Sequence, residues 1–159
     1  MKFKKNPDGA CVLYAVANLT NNAAVLSEKA TAAGLLSSDL SKLLEKYLSP
    51  IVRRVTAVEP ILVTPGRAAA ADFLDAISAH TGATSSAASL VLFMNIITGG
   101  VRHCVLAFYN ASKDELKVLD STKDAAQISS AGAYFYTNFV AGVFVVVDTK
   151  THKIIYLNE

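Results

Sequence analysis

The spacing of apolar residues changes about halfway along this chain, and this change limits the possible folds more than any other feature. In the first half, apolar residues recur with a helical period. This period predicts helices over about Gly9–Asn21, with Asp8 as cap, and over about Asp39–Tyr47, with Ser38 as cap. A third helix is predicted to begin near Arg67 and to end before residue 82.

The second half of the chain contains short apolar runs of strand length, separated by turn residues. The predicted strands are Leu90–Ile97, Val101–Tyr109, Leu116–Leu119, Val143–Val147 and Lys153–Leu157. The last two are expected to form a hairpin around Asp148–Thr151. Helices followed by an antiparallel sheet favour an α+β fold over a doubly wound parallel sheet.

Length and charge exclude several classes of protein. The 159 residues suit one domain over residues 1–159, and an apolar content of 52% with 18% charged residues excludes intrinsic disorder. The formal net charge is 15 − 13 = +2, which gives no electrostatic footprint for nucleic acid or a membrane surface. No segment has the roughly 18 uninterrupted apolar residues of a membrane span. We therefore expect neither nucleic-acid nor membrane partners.

The two cysteines, Cys11 and Cys104, are too few for a disulfide framework, and neither has the spacing of a metal site. We expect no metal and no cofactor, and a cysteine count this low fits a reducing compartment. The basic start Met1–Lys5 is followed by the turn-forming Asn6–Gly9 rather than by the apolar core of a signal peptide. The sequence therefore favours a cytoplasmic location.

Cys11 is the first residue with chemical potential. It falls in the first turn of the predicted Gly9–Asn21 helix, where unpaired amides and the positive end of the helix dipole favour a thiolate. A thiol becomes an effective nucleophile when its proton is removed, so this position suits catalysis. The alternative is that Cys11 is a small buried apolar residue without chemistry.

His103 and Asp120 are predicted to meet across two neighbouring strands. A loop over Ala111–Asp114 pairs Asn110 with Glu115 and places Asp120 opposite Val105. His103 then lies on the same face as Asp120, as its diagonal neighbour, whereas a slip of one residue would separate them. A carboxylate beside an imidazole fixes its tautomer and stabilises the imidazolium. The alternative is a histidine at a strand end and an aspartate that only forms a turn.

Cys104 is adjacent to His103 in the strand and therefore faces the other way. We expect its side chain to lie in the core.

Three segments resemble the papain-like cysteine peptidases. Asp8–Leu19 resembles their nucleophile helix, His103–Tyr109 their histidine strand, and Leu116–Ser121 the acid strand that follows. The order Cys, His, Asp is that of the family, and the compact spacing resembles a small bacterial or phage type similar to bacteriocin leader peptidase-like domains. The resemblance covers most of the chain. It implies a papain-like α+β fold with the nucleophile helix packed on a C-terminal antiparallel sheet.

The resemblance also implies a function and a substrate class. It makes Cys11, His103 and Asp120 a catalytic triad that hydrolyses a peptide or protein through an acyl-enzyme intermediate. These peptidases usually carry a glutamine before the nucleophile as oxyanion donor, and at that distance this chain offers Asn6. Many members have glycine after the cysteine, where this chain has Val12. Two alternatives stay open: an acyltransferase of transglutaminase type with the same triad, and an inactive papain-like binding or inhibitory module.

Overall fold

The structure is a computed structural model, and it confirms the α+β class. It describes residues 11–28, 37–48, 56–66, 68–80, 89–148 and 156–157. Within these residues, helices lie against an antiparallel sheet. None of the helices described is long and apolar enough to cross a membrane.

The described helices are short and mostly fall where the sequence predicts them. The four α-helices are α1 (Cys11–Thr20), α2 (Ser37–Tyr47), α3 (Ala69–His80) and α4 (Ala131–Thr137), and a 3-10 helix spans Ala23–Ser27. The predicted start of α1 at Gly9 and its cap Asp8 lie outside the described residues. The sequence predicted Ser38 as the cap of α2. This prediction is wrong, because the helix already includes Ser37.

Seven strands form the sheet in the part of the chain that the structure describes. They are β1 (Thr56–Ile61), β2 (Ser89–Thr98), β3 (Val101–Asn110), β4 (Glu115–Leu119), β5 (Gln127–Ser129), β6 (Phe139–Asp148) and β7 (Tyr156–Leu157). The strand order is β1-β6-β2-β3-β4-β5, and β7 pairs with β2 off this path. Strand β1 was not predicted, because its Pro60 weakens any strand pattern. Pro60 is tolerated because β1 is at one edge of the described sheet.

Both faces of the sheet are covered, so its central strands are buried on both sides. On one face, α1 and α2 pack against side chains of alternate sheet residues, among them Val91, Phe93, Leu106 and Phe108. On the other face, α3 and α4 pack against the residues between them, among them Leu92, Val105, Ala107 and Tyr109. The expected helical part therefore does not pack as one unit, since α3 lies on the face opposite to the one that α1 covers.

The predicted C-terminal hairpin is wrong. Tyr156–Leu157 pairs with Ser89 and Leu90 of β2, not with β6. Strand β6 pairs with β1 through Val143–Asp148 and with β2 through Phe139–Val145. The β2–β6 ladder begins only at Leu92, so the first three residues of β2 are not paired with β6, and two of them, Ser89 and Leu90, pair with β7.

Phe73 on α3 tests this packing. Its side chain is fully buried, with ring centroids 5.1 Å from both Tyr109 and Phe135. We expect Phe73→Ala to lower the free energy of unfolding by about 3–5 kcal/mol, because it removes a large core side chain and leaves a cavity. Its neighbour Leu74 is 39% exposed, and Leu74→Ala is the matched control, with an expected loss below about 1 kcal/mol. Equal losses in urea unfolding would contradict this packing.

Candidate active site

The β3–β4 hairpin has the predicted register. Asn110 pairs with Glu115 and Leu106 with Leu119, and the continuation of this ladder sets Asp120 opposite Val105. His103 and Asp120 meet as expected, with His103 Nε2 2.6 Å from Asp120 Oδ1. Both side chains are largely shielded, with exposed fractions of 14% and 8%. The sequence thus predicted this contact correctly.

Cys11 is the first residue of α1, and it reaches the same place from the other face of the sheet. Helix α1 packs on the face that carries Cys104 and Leu106, whereas His103 has the parity of Val105 on the opposite face. The thiol and the imidazole meet at the edge of β3, where their interaction lowers the pKa of Cys11 and raises that of His103. Because Nε2 of His103 is bonded to Asp120, Nδ1 is the nitrogen available to Cys11.

The early end of β4 makes room for the Cys11 sulfur. Strand β4 stops at Leu119, so the part of β3 that precedes Leu106 has no strand partner on that side among the described residues. A longer β4 would pair residue 121 with Cys104. Instead, the Cys104 amide donates to Cys11 Sγ at an N–S distance of 3.4 Å. The sulfur therefore occupies the place of a ladder acceptor and gains a fixed donor to its anion.

A turn after β4 holds the Asp120 carboxylate. Oδ1 of Asp120 accepts from the Thr122 amide at 2.9 Å and from the Thr122 hydroxyl at 2.7 Å, in addition to His103. The Lys123 amide donates to the Asp120 carbonyl at 3.0 Å and closes the turn. Asp120 is therefore both a turn residue and the partner of His103. The two interpretations that the sequence set against each other are compatible.

The pKa values follow from these contacts. Burial raises the pKa of the Cys11 thiol, but hydrogen bonds from His103 and from the Cys104 amide outweigh it, so the pKa is lowered. The hydrogen bond to Asp120 raises the pKa of His103 to about 9, and the Cys11 contact adds to this effect. Burial also raises the pKa of Asp120, but the His103 and Thr122 bonds prevail and lower it to about 2. Each shift favours the ionised form of its group: a thiolate at Cys11, an imidazolium at His103 and a carboxylate at Asp120.

Three donors of this site were not predicted from the sequence: the amide and the hydroxyl of Thr122 and the amide of Cys104. The Thr122 donors follow from the Asp-Ser-Thr sequence, which is typical of an Asx turn and was weighed only as an alternative to function. The Cys104 amide has no sequence signal of its own, because every residue except proline carries one. Next to Asp120, Ser121 is buried, and its hydroxyl has no hydrogen-bond partner among the described residues.

Asn6, the predicted oxyanion donor, lies outside the described residues. No group of three or more His, Cys, Asp and Glu side chains in the described part of the chain is arranged to hold a metal ion. The site that the described residues build is therefore a thiol, an imidazole and a carboxylate with backbone donors.

Compared with protein-family models, with curated proteins and with solved structures, the chain matches none of them. The interpretation of the site rests on its own residues and their geometry.

The Asp120–His103 pair predicts a window of pH in which it stabilises the fold most. The pKa of His103 is raised from about 6.5 to about 9, so its contribution is complete below pH 6.5 and is lost as the pH rises through 9. The pKa of Asp120 is lowered, so its contribution is complete above about pH 3.9 and is lost as the pH falls through 2. Stabilisation by the pair is therefore greatest between about pH 4 and 6.5.

Urea unfolding of the wild type and of Asp120→Asn across pH measures this window. We expect the difference in unfolding free energy between them to be largest at pH 4–6.5 and to shrink on either side. Thr122→Val is a control, since it removes one donor to Asp120 but leaves the ion pair. A difference between wild type and Asp120→Asn that does not vary with pH would contradict the ion pair.

Proposed function

We propose that this protein is a papain-like cysteine hydrolase, and specifically a peptidase. One observation carries the proposal: His103 lies between the thiol of Cys11 and the carboxylate of Asp120, with 2.6 Å from Nε2 to Oδ1. This is the arrangement of nucleophile, base and orienting group that acyl transfer to a thiol requires. The α+β fold, with the thiol at a helix N-terminus and the other two groups on neighbouring strands, supports it.

The mechanism assigns one role to each residue. The Cys11 thiolate attacks the carbonyl carbon of a peptide bond, and the His103 imidazolium gives its proton to the leaving amine. The resulting neutral His103 then takes a proton from water, which attacks the acyl-enzyme and releases the acid. Asp120 keeps the ring oriented and stabilises its charge in both steps.

The oxyanion of the tetrahedral intermediate needs donors close to the sulfur. In this proposal, the Cys11 amide at the start of α1 is one donor and the side chain of Asn6 is the second. Asparagine can supply the amide hydrogen that glutamine gives in the family that the sequence resembles.

Apolar surface near the site supports a peptide substrate. A cavity of about 430 Å³ is lined by Gly66 and by residues 135–139. Phe139 pairs with Ile97, which pairs in turn with Arg102, so this cavity and His103 lie at the same end of the sheet. Phe139 is 48% exposed, and Val101 is 66% exposed at the start of β3. Peptides with apolar side chains suit this surface.

Both cysteines of the chain are free thiols in the structure, and Cys11 must remain reduced to act. This requirement fits a reducing compartment, and we place the enzyme in the cytoplasm as part of the proposal.

Alkylation of Cys11 tests the activated thiol. We expect iodoacetamide to label Cys11 at pH 6–7 at least about tenfold faster than a free thiol of pKa about 8.5, because His103 and the Cys104 amide stabilise the thiolate. In His103→Ala the labelling rate at pH 6–7 should be lower than in the wild type. It should increase only as the pH approaches the pKa of a free thiol. Intact mass at timed intervals gives the rates, and Cys11→Ser shows the background. A wild-type profile identical to that of His103→Ala would indicate the inactive binding module.

Turnover of Asp120→Asn tests the third member of the triad. Cleavage of fluorescein-labelled casein should fall by about a hundredfold or more, because the asparagine amide donates to the ring and favours the wrong tautomer. Melting temperature measured on the same samples separates this effect from unfolding. Full activity in a folded Asp120→Asn would remove Asp120 from the mechanism. A labelled wild type that joins amines to casein without cleaving it would indicate acyl transfer.

A further inference from the structure

The only two cysteines of the chain lie side by side in the folded protein. They are 93 positions apart in sequence, yet Cys11 Sγ is 3.4 Å from the Cys104 nitrogen. Since Cα is one bond beyond that nitrogen, the Cα of Cys104 is within roughly 5 Å of the Cys11 sulfur. Cysteines joined by a disulfide have Cα atoms about 4.4–6.8 Å apart, and a Cys11 sulfur this close to the Cys104 backbone places the two residues near that range.

The side chains of the two cysteines belong to the same layer. Cys104 is a member of the core cluster between the sheet and helix α1, and Cys11 packs against that cluster from the N-terminus of α1. His103 and Asp120 have the parity of the opposite face. A bond between the two sulfurs would thus form within one layer. It would not require the side chains of β3 to change faces of the sheet.

The two thiols differ in exposure. Cys104 is buried, with 6% of its surface exposed, and burial raises the pKa of its thiol. Cys11 is only partly buried and has the lowered pKa. An oxidant from solution therefore meets Cys11 first, because reactivity follows thiolate character and access. Cys104 is sheltered, and its backbone nitrogen is 3.4 Å from the Cys11 sulfur that an oxidant would meet.

We propose that Cys11 is a site of reversible oxidation by hydroperoxides and that Cys104 is its resolving cysteine. The Cys11 thiolate attacks one peroxide oxygen, the O–O bond breaks, and sulfenic acid and hydroxide (or alkoxide) are formed. The Cys104 sulfur then attacks the sulfenic sulfur, the S–O bond breaks, and the hydroxyl leaves with the Cys104 proton as water. The thiols lose two electrons to the peroxide, and a disulfide between Cys11 and Cys104 results.

This disulfide would withdraw the sulfur from His103 and would be reopened by a dithiol reductant. Without a resolving thiol, sulfenic acid goes on to sulfinic acid, which ordinary reductants do not reverse. The proposal rests on the activated thiolate of the proposed function, but it does not require hydrolysis.

Mass spectrometry of the full chain after treatment with hydrogen peroxide tests the proposal. We expect the wild type to lose two hydrogens in intact mass, and a non-reduced digest to contain one peptide that joins Cys11 to Cys104. Dithiothreitol should restore nearly all of the thiol that iodoacetamide labels at Cys11. Cys104→Ala should instead gain two oxygen atoms at Cys11, and the labelling lost should not return. Cys11→Ser should show neither change.

The controls keep the outcomes distinct. Cys104→Val replaces the buried thiol by an apolar group of similar size, and melting curves of both Cys104 variants verify their folding. Wild type that accumulates sulfinic acid as fast as Cys104→Ala, or that forms only dimers between chains, would overturn the proposal. Formation of the disulfide in a protein that cleaves no casein would uphold this inference and reject the peptidase. These readouts need no substrate, so the two proposals fail separately.

Discussion

The site depends on the point at which β4 stops pairing with β3. The ladder ends at Leu119, one residue before Asp120, and the chain then turns through Thr122. Strand alternation places the Asp120 carboxylate beside His103, and the missing pair leaves the Cys104 amide open to the Cys11 sulfur. Two more residue pairs in this ladder would satisfy that amide with a backbone carbonyl. The length of a five-residue strand thus decides whether two layers of the fold can meet at one imidazole.

The local part of this arrangement was predictable from sequence. A polar four-residue loop between two apolar runs fixes the register of β3 against β4, and register fixes parity. From parity alone, His103 and Asp120 share a face and Cys104 turns into the core, and the structure shows both. The position of Cys11 at the start of a helix was equally local, because it depends on the pattern of the next ten residues.

Features that depend on competition between distant segments were not predictable. The partner of Tyr156–Leu157 was predicted wrongly, because the choice of strands that pair with β6 depends on the order of strands in the whole sheet. Helix α4 was not predicted, because Gly132 and three successive aromatic residues are poor helix formers. Its Ser130 cap, which accepts from Ala133, and the burial of Phe135 stabilise it. The role of the Cys104 amide depends on where a neighbouring strand ends, and the amino-acid type at a position does not indicate this.

Cys11 and Cys104 are 93 positions apart in sequence, so the contacts that lower the pKa of the Cys11 thiol form late in folding. During synthesis, Cys11 emerges from the ribosome long before β3 exists, and an isolated cysteine of pKa about 8.5 is mostly protonated at neutral pH. Contacts of such long range also form slowly, since a large loop must close first. Folding is therefore the step that lowers the pKa of the Cys11 thiol. Under the proposed function, an unfinished or misfolded copy carries an ordinary cysteine, which reacts slowly with other proteins and does not cleave them.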